Sequence, residues 1–299
     1  MCDRFLRDCL LLAGTGRRTE ELRIVTATLH SATVVIGGIP VALQTADPAF
    51  IPVLEARYAG FMNGAGAAKV QPGNVLLELV GADSQPGGAY GEIAVKREGK
   101  VWHMRRWDLR AEWDRSTGRG KVWEAVSPHS IDTVLRILHS LLLAERDGFL
   151  LHAASAVVGN RGLAFSGVSG AGKTTLSRLA PPPVTVLTDE ISYLKMEEGE
   201  LHAWGTPFAG EMATPGPNCS APLAGVFLLT KGPQNKVEPI SQDEAVCSIL
   251  RNVLFFANDP ELTAHVLETV CQLVEKVPVR RLIFRPDPSV WDFIASLEE

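Results

Sequence analysis

The sequence predicts an α/β protein in two parts: a smaller strand-rich α+β part over residues 1–146, and a second part over residues 147–299 built around a glycine-rich loop. Three observations carry this expectation. Short β-branched and apolar runs, punctuated by turn residues, fill most of the first part. An apolar stretch at helical spacing closes it. In the second part Gly167-Val168-Ser169-Gly170-Ala171-Gly172-Lys173-Thr174 satisfies G-x-x-x-x-G-K-[ST] without a mismatch. Leu163-Ala164-Phe165 precedes it and Thr175-Leu176-Ser177-Arg178-Leu179 follows, which is the strand, turn and helix start the motif requires.

Residues 24–29 and 33–36 are apolar and β-branched, and Gly37-Gly38 turns the chain into Ile39-Pro40-Val41. Asp47-Pro48 has the form of an N-cap followed by proline, opening a short helix through Tyr58 despite Pro52. Residues 74–80 form another strand. Residues 92–95 and 101–104 flank Arg97-Glu98-Gly99-Lys100 as a hairpin, and residues 109–113 and 121–125 flank a second turn at Ser116-Thr117-Gly118. Trp102, Trp107, Trp113 and Trp123 fall on these hairpins, where aromatic residues build a strand core more often than they stack on a partner. Ser127-Pro128 starts a helix whose Ile131, Val134, Leu135, Leu138, Leu141 and Leu142 share one face, and Arg146-Asp147-Gly148 ends it. The second part opens with a strand over 149–158, a turn at Asn160-Arg161-Gly162, and the strand leading into the loop. A strand over 184–187 ends at Asp189-Glu190, and another spans 222–229. Helices are expected over 243–257 and 260–275, a late strand over 279–284, and a last helix capped by Asp287-Pro288.

Composition narrows the function classes. The chain of 299 residues is 46% hydrophobic and 21% charged, so it can bury a sizeable core. Its formal net charge is -5 and it has no long basic run, which argues against a nucleic-acid partner. The 5 cysteines (Cys2, Cys9, Cys219, Cys247 and Cys271) are odd in number and scattered, as expected of a reducing cytoplasm rather than a disulfide framework or zinc site. The apolar stretch Cys9-Leu10-Leu11-Leu12-Ala13 is short and follows Asp3 and Asp8, unlike a signal peptide. No stretch reads as a membrane span. The expected location is therefore cytoplasmic, with no membrane partner; assembly into a homo-oligomer stays open.

The loop carries the chemistry. Its glycines let the backbone approach a phosphate chain, and N–H groups at the following helix start point at an anion. Gly167, Ser169, Gly170, Ala171, Gly172, Lys173, Thr174 and Thr175 are the candidate nucleotide contacts. Lys173 reaches outer phosphates and the Thr174 hydroxyl suits Mg²⁺. Asp189 and Glu190 follow a strand, where α/β proteins place ligand-facing residues. There a carboxylate holds metal or takes a proton from a hydroxyl, unless both are solvated loop acids. Asp189 is the preferred base and Glu190 the second. His152 is a hydrogen-bonded core histidine unless it reaches the phosphates. Gly205-Thr206-Pro207-Phe208-Ala209-Gly210-Glu211 is either a substrate-side or metal-side loop or a plain turn.

Residues 149–195 resemble the catalytic domain of HPr kinase/phosphorylase, and the loop is also similar to that of ATP-dependent phosphoenolpyruvate carboxykinase. The likeness lies in His152 on the strand before the loop, in G-x-S-G-x-G-K-[ST] with Ser169 in place, and in the acidic pair Asp189-Glu190. The resemblance implies a phosphate-loop domain of that type and a kinase using ATP and Mg. By that resemblance Lys173 and Thr174 bind phosphates and metal, His152 assists, and Asp189 or Glu190 accepts the proton. HPr kinase carries an Asp-Asp pair where this chain has Asp-Glu. That family's signature segment and basic phosphorolysis loop are not recognisable here, and residues 205–211 occupy the signature's place. The chain looks more like divergent HPr-kinase-related proteins, some of which accompany peptide-modification systems and phosphorylate serine in a precursor peptide. The expected acceptor is accordingly a hydroxyl of a peptide or protein, with serine first. A kinase for free serine and a nucleotide-binding regulator are the competing readings.

Overall fold

The computed structural model describes residues 28–63, 75–82 and 92–297. They form a mixed α/β fold with two sheets. Strands β1 (His30–Ile36) and β2 (Ile39–Thr45) make the expected hairpin around Gly37-Gly38. Helix α1 (Phe50–Tyr58) starts later than the Asp47-Pro48 signal implied. Asp47 Oδ1 accepts from the Ala49 N–H at 2.9 Å, so this acid holds the preceding turn instead of capping the helix. Pro52 falls within the first turn, where its missing N–H breaks no helical bond. A 3-10 turn (Ala59–Phe61) leads to β3 (Met62–Asn63), and β4 (Val75–Gly81), β5 (Ala94–Glu98), β6 (Val101–Arg106), β7 (Leu109–Asp114) and β8 (Arg119–Glu124) complete the first sheet. Its order is β3-β1-β2-β4-β8-β7-β6-β5. Residues 24–27 of the expected first strand, Asn74, Cys2, Cys9 and the 9–13 apolar stretch lie outside the described residues. The pleat buries Trp102 and Trp113 in the core. Trp107 is 37% exposed, and Trp123 lies under the Arg110 guanidinium at 4.8 Å.

Helix α2 (Pro128–Ala144) begins as predicted, with Ser127 accepting from the His129 N–H at 3.3 Å. Then follow β9 (Gly148–Val158), β10 (Arg161–Ser166), α3 (Lys173–Arg178), β11 (Thr185–Thr188), β12 (Ile191–Glu197), β13 (Glu200–Trp204), β14 (Ser220–Lys231), β15 (Lys236–Pro239), α4 (Gln242–Leu250), β16 (Val253–Leu254), α5 (Pro260–Lys276), β17 (Val279–Phe284) and α6 (Ser289–Ser296). The helix expected over 243–257 stops at Leu250 because residues 252–254 pair with β9. The His152 N–H donates to the Asn252 carbonyl at 2.7 Å, and Val253 stands opposite Leu151. The β12–β13 hairpin was not foreseen; its turn is Glu198-Gly199, both at positive φ.

Two long strands organise the second sheet. The first half of β9 pairs with β12, and the second half lies between β10 and β11. β14 pairs with β13 at its start and with β10 and β17 further on. The pairings β10–β9, β9–β12, β12–β13, β13–β14 and β14–β10 therefore close into a ring. β10 and β11 both run antiparallel to β9, and β14 runs parallel to β10. All three strands thus end at one pole of the ring, and His152 lies there too, at the switch point of β9.

One continuous core joins both sheets across α2, whose residues are buried on nearly every face. A second cluster seats α3 and α6: Phe165 stacks on Phe227 at 5.7 Å and meets Trp291 edge-on at 5.6 Å. The Trp291 indole donates to the Leu176 carbonyl at 3.1 Å, tying α6 to the helix that leaves the glycine-rich loop. No helix among the described residues is long and apolar enough to cross a membrane.

Candidate functional site

At that pole lies an open cleft of about 670 Å³. Ser169, Gly170, Gly172, Lys173, Thr174, Thr175, His152, Asp189 and Glu190, all singled out from the sequence, line it. Gly167 and Ala171 shape the loop from behind, with Gly167 offering its carbonyl to Lys173. Gly172 precedes α3 with φ +112°, and a Cβ there would stand 2.6 Å from the Phe284 ring, so both the conformation and the close approach require glycine.

Lys173 is only 7% exposed, and its Nζ donates to the Gly167 carbonyl at 2.8 Å and more weakly to that of Val168 at 3.4 Å. Among the described residues no carboxylate pairs with it. Burial lowers its pKa, and the charge of Glu190 partly opposes that. An ammonium withdrawn from water and held by neutral carbonyls alone suits an incoming anion. Burial also lowers the pKa of half-buried His152, and the Lys173 charge adds to the effect. The backbone hydrogen bond to Glu190 opposes both.

The acidic pair divides its work. Asp189 is 3% exposed; its Oδ1 accepts from the Gly210 N–H at 2.9 Å and its Oδ2 from the Met212 N–H at 3.0 Å. It therefore pins the 205–216 loop, which Thr206 also ties down by donating to the Ile191 carbonyl at 3.1 Å. Glu190 lines the cleft, and its carboxylate accepts no hydrogen bond among the described residues. Burial raises its pKa, Arg136 and Lys173 pull it down, and Asp189 and Asp132 push it up. Residues 209–211 form the wall opposite the glycine-rich loop.

Lys231, the last residue of β14, also lines the cleft and is exposed. Sequence reasoning passed over it. The available signal was an apolar strand ending in a cation and then Gly232-Pro233, at a strand end in an α/β fold. The metal-ligating groups of the cleft lining are mostly hard oxygens, from the hydroxyls of Ser169, Thr174 and Thr175 and the carboxylates of Asp189, Glu190 and Glu211, with the His152 imidazole beside them. Among the described residues no group of three or more His, Cys, Asp or Glu could hold a metal. That set suits Mg²⁺, which is held by one or two protein oxygens together with phosphate and water, better than it suits a caged metal.

Residues 126–296, more than half of the chain, match the model of the family described as SynChlorMet cassette protein ScmC. The chain belongs to that family. The ScmC match begins just ahead of α2 and takes in every residue lining the cleft. The family shown is thus ScmC and not HPr kinase, whose likeness rests on the motifs of residues 149–195. A solved structure of the Hpr(Ser) kinase/phosphatase from Coxiella burnetii is similar at 14% identity and a TM-score of 0.24, covering 50% of this chain and 98% of that one. So slight a likeness carries no argument. No curated protein sequence matches the chain.

Proposed function

We propose that this ScmC-family protein is an ATP- and Mg²⁺-dependent kinase that transfers the γ-phosphate to a hydroxyl, with serine of a peptide or protein as the acceptor. On this reading the ring is a phosphate-loop domain of the HPr kinase and phosphoenolpyruvate carboxykinase type, and the strand-rich first part recruits the acceptor. The observation that carries the reading is the convergence of three strand ends on one cleft. β10 brings the loop with its unpaired buried Lys173, β11 brings the acidic pair, and β14 brings Lys231. Such a site supplies what phosphoryl transfer asks of a protein, namely positioning and charge neutralisation.

Loop N–H groups and Lys173 hold the phosphates, and Lys231 approaches them from β14, the strand beside β10. Thr174 and Asp189 would hold Mg²⁺, which when bound neutralises phosphate charge. Glu190 is the proton acceptor because its carboxylate is unengaged and faces the cleft, whereas both Asp189 oxygens are occupied by loop N–H groups. The acceptor oxygen bonds to the γ-phosphorus as the bond to the bridging oxygen breaks. ADP leaves, and the hydroxyl proton passes to Glu190. His152, which lines the same cleft, orients the transferring group.

The test is transfer of labelled γ-phosphate from ATP to serine peptides and to free serine. Glu190→Gln should lower turnover by about 10²- to 10⁴-fold with little change in Mg·ATP affinity. Full turnover in that variant would remove Glu190 from the mechanism. Nucleotide binding without transfer to any acceptor would overturn the kinase reading in favour of a regulator.

A further inference from the structure

A second cleft, of about 440 Å³, opens beside the first two turns of α2. Most of its charged lining is internally paired. Arg106 Nε contacts Asp108 at 2.5 Å, and the Ser130 hydroxyl donates to the same carboxylate at 3.0 Å. Asp132 is held by Arg57 at 2.5 Å and by the Tyr58 hydroxyl at 2.5 Å. Arg136, one turn further along, has no such partner. Its guanidinium lies over the Phe208 ring at 5.2 Å, and its Nε is out of contact with water and makes no hydrogen bond among the described residues. That Nε is closed off from the cleft as well, so the two terminal Nη groups are the donors Arg136 presents to a molecule there. A planar guanidinium supported on an aromatic ring is shaped to take a carboxylate in two parallel hydrogen bonds.

Arg136 also stands between the two clefts. Phe208 beneath it is followed by Ala209, which lines the cleft of the glycine-rich loop, and the charges of both Arg136 and Asp132 bear on Glu190. A molecule seated on Arg136 is therefore delivered beside Glu190. The remaining lining, from Trp107, Ser127, His129 and Thr133, is aromatic and hydroxylic with one imidazole and adds no further carboxylate or guanidinium.

We propose that the α2 cleft seats the phosphate acceptor and that Arg136 recognises a carboxylate carried by it. The word acceptor rests on the kinase reading above; the carboxylate site does not. The carboxylate can come from an acidic residue near the target serine of a peptide or from free serine itself, and the experiment separates the two. Two matched sets of short fluorescent serine peptides, one with glutamates flanking the serine and one with glutamines, are titrated without nucleotide against the full chain. The glutamate set should bind about tenfold or more tightly, as expected for charge-assisted hydrogen bonds. Arg136→Gln should abolish the preference, and Arg136→Lys should keep part of it, retaining charge without the fork. Unlabelled L-serine as competitor assigns the source: displacement points to the free amino acid, and its failure points to the peptide side chain. Circular dichroism checks that the variants fold, and if Arg136→Gln does not, the comparison of wild type with Arg136→Lys decides. Equal binding of the two sets, binding of neither set and no L-serine effect, or a preference that survives in a folded Arg136→Gln would each overturn the proposal. Because no step uses ATP, a protein that binds the glutamate set but never transfers phosphate would sink the kinase reading and leave the site standing.

Discussion

Lys173 and Lys231 face the same cleft, one from the start of α3 and the other from the end of β14, yet their surroundings differ. Lys173 is withdrawn from water and held by backbone carbonyls, whereas Lys231 is exposed. Removing the first deletes the cation built into the loop; removing the second deletes one that solvent already screens. Calorimetric titration with Mg·ATP should therefore show Lys173→Ala nearly devoid of binding and Lys231→Ala weakened by about tenfold, in the range of one charge-assisted hydrogen bond. Unchanged affinity in Lys231→Ala would detach β14 from the nucleotide. At this scale the sequence was informative wherever chemistry is local. The residues of the loop motif and the acidic pair are each contiguous, so their spacing announces them. Lys231 and Arg136 belong to the site only through strand order and helix packing, which no spacing along the chain encodes. The same holds for the division between Asp189 and Glu190, since it depends on which carboxylate the 205–216 loop happens to reach.

At the scale of elements, that loop is the part whose sequence permitted two readings. Its glycines and prolines fit an ordinary turn equally well, and only its attachment to Asp189 makes it a wall of the cleft. Gly210 is the critical contact. A Cβ at this position would stand 2.9 Å from the Glu190 Cβ and 3.0 Å from Asp189 Oδ2. Gly210→Ala must therefore push the acidic pair or the loop aside. Turnover in the transfer assay should fall by about tenfold or more, since displacements of an ångström suffice for that. The melting temperature should move by only a few degrees, because the change lies outside both core clusters. Unaltered turnover would mean that the loop does not position the carboxylates. The strands and helices with a strong pattern, such as α2, β10 and β17, were legible in advance. β16 and the early end of α4 were not, because pairing with β9 overrides a helical pattern that continues through residue 257.

At the scale of the whole molecule, the core contains a charge-bearing group it does not satisfy. Alternation along β8 turns Val122 and Glu124 to the same buried face. Glu124 is fully buried, and neither carboxylate oxygen has a hydrogen-bond partner among the described residues. Burial, helped by the nearby Asp108 charge, pushes its pKa up to about 9. The folded state therefore holds a proton that the unfolded chain releases near pH 4.5. Stability is full below that pH and declines as pH rises toward 9, by up to about 1.4 kcal/mol per unit. Glu124→Gln should remove this slope. In urea unfolding at pH 6, 7 and 8, its stability relative to wild type should rise with each step, and parallel curves would show that Glu124 is not the group responsible.

The closed ring of five strands has a consequence in time. Each of its ladders is bounded by another, so a frayed end cannot spread along an open edge, and the ring opens only as a unit. The end of β10 bearing the loop, the end of β14 bearing Lys231 and the start of β12 that follows the acidic pair therefore keep their relative register for as long as the protein stays folded. Any closing or opening around a bound molecule falls to the glycine-rich connection, residues 167–172, on the faster clock of loops, because the 205–216 loop is fastened to Asp189 and Ile191. The proton acceptor would then stay in place while the loop around the phosphates turns over with every substrate.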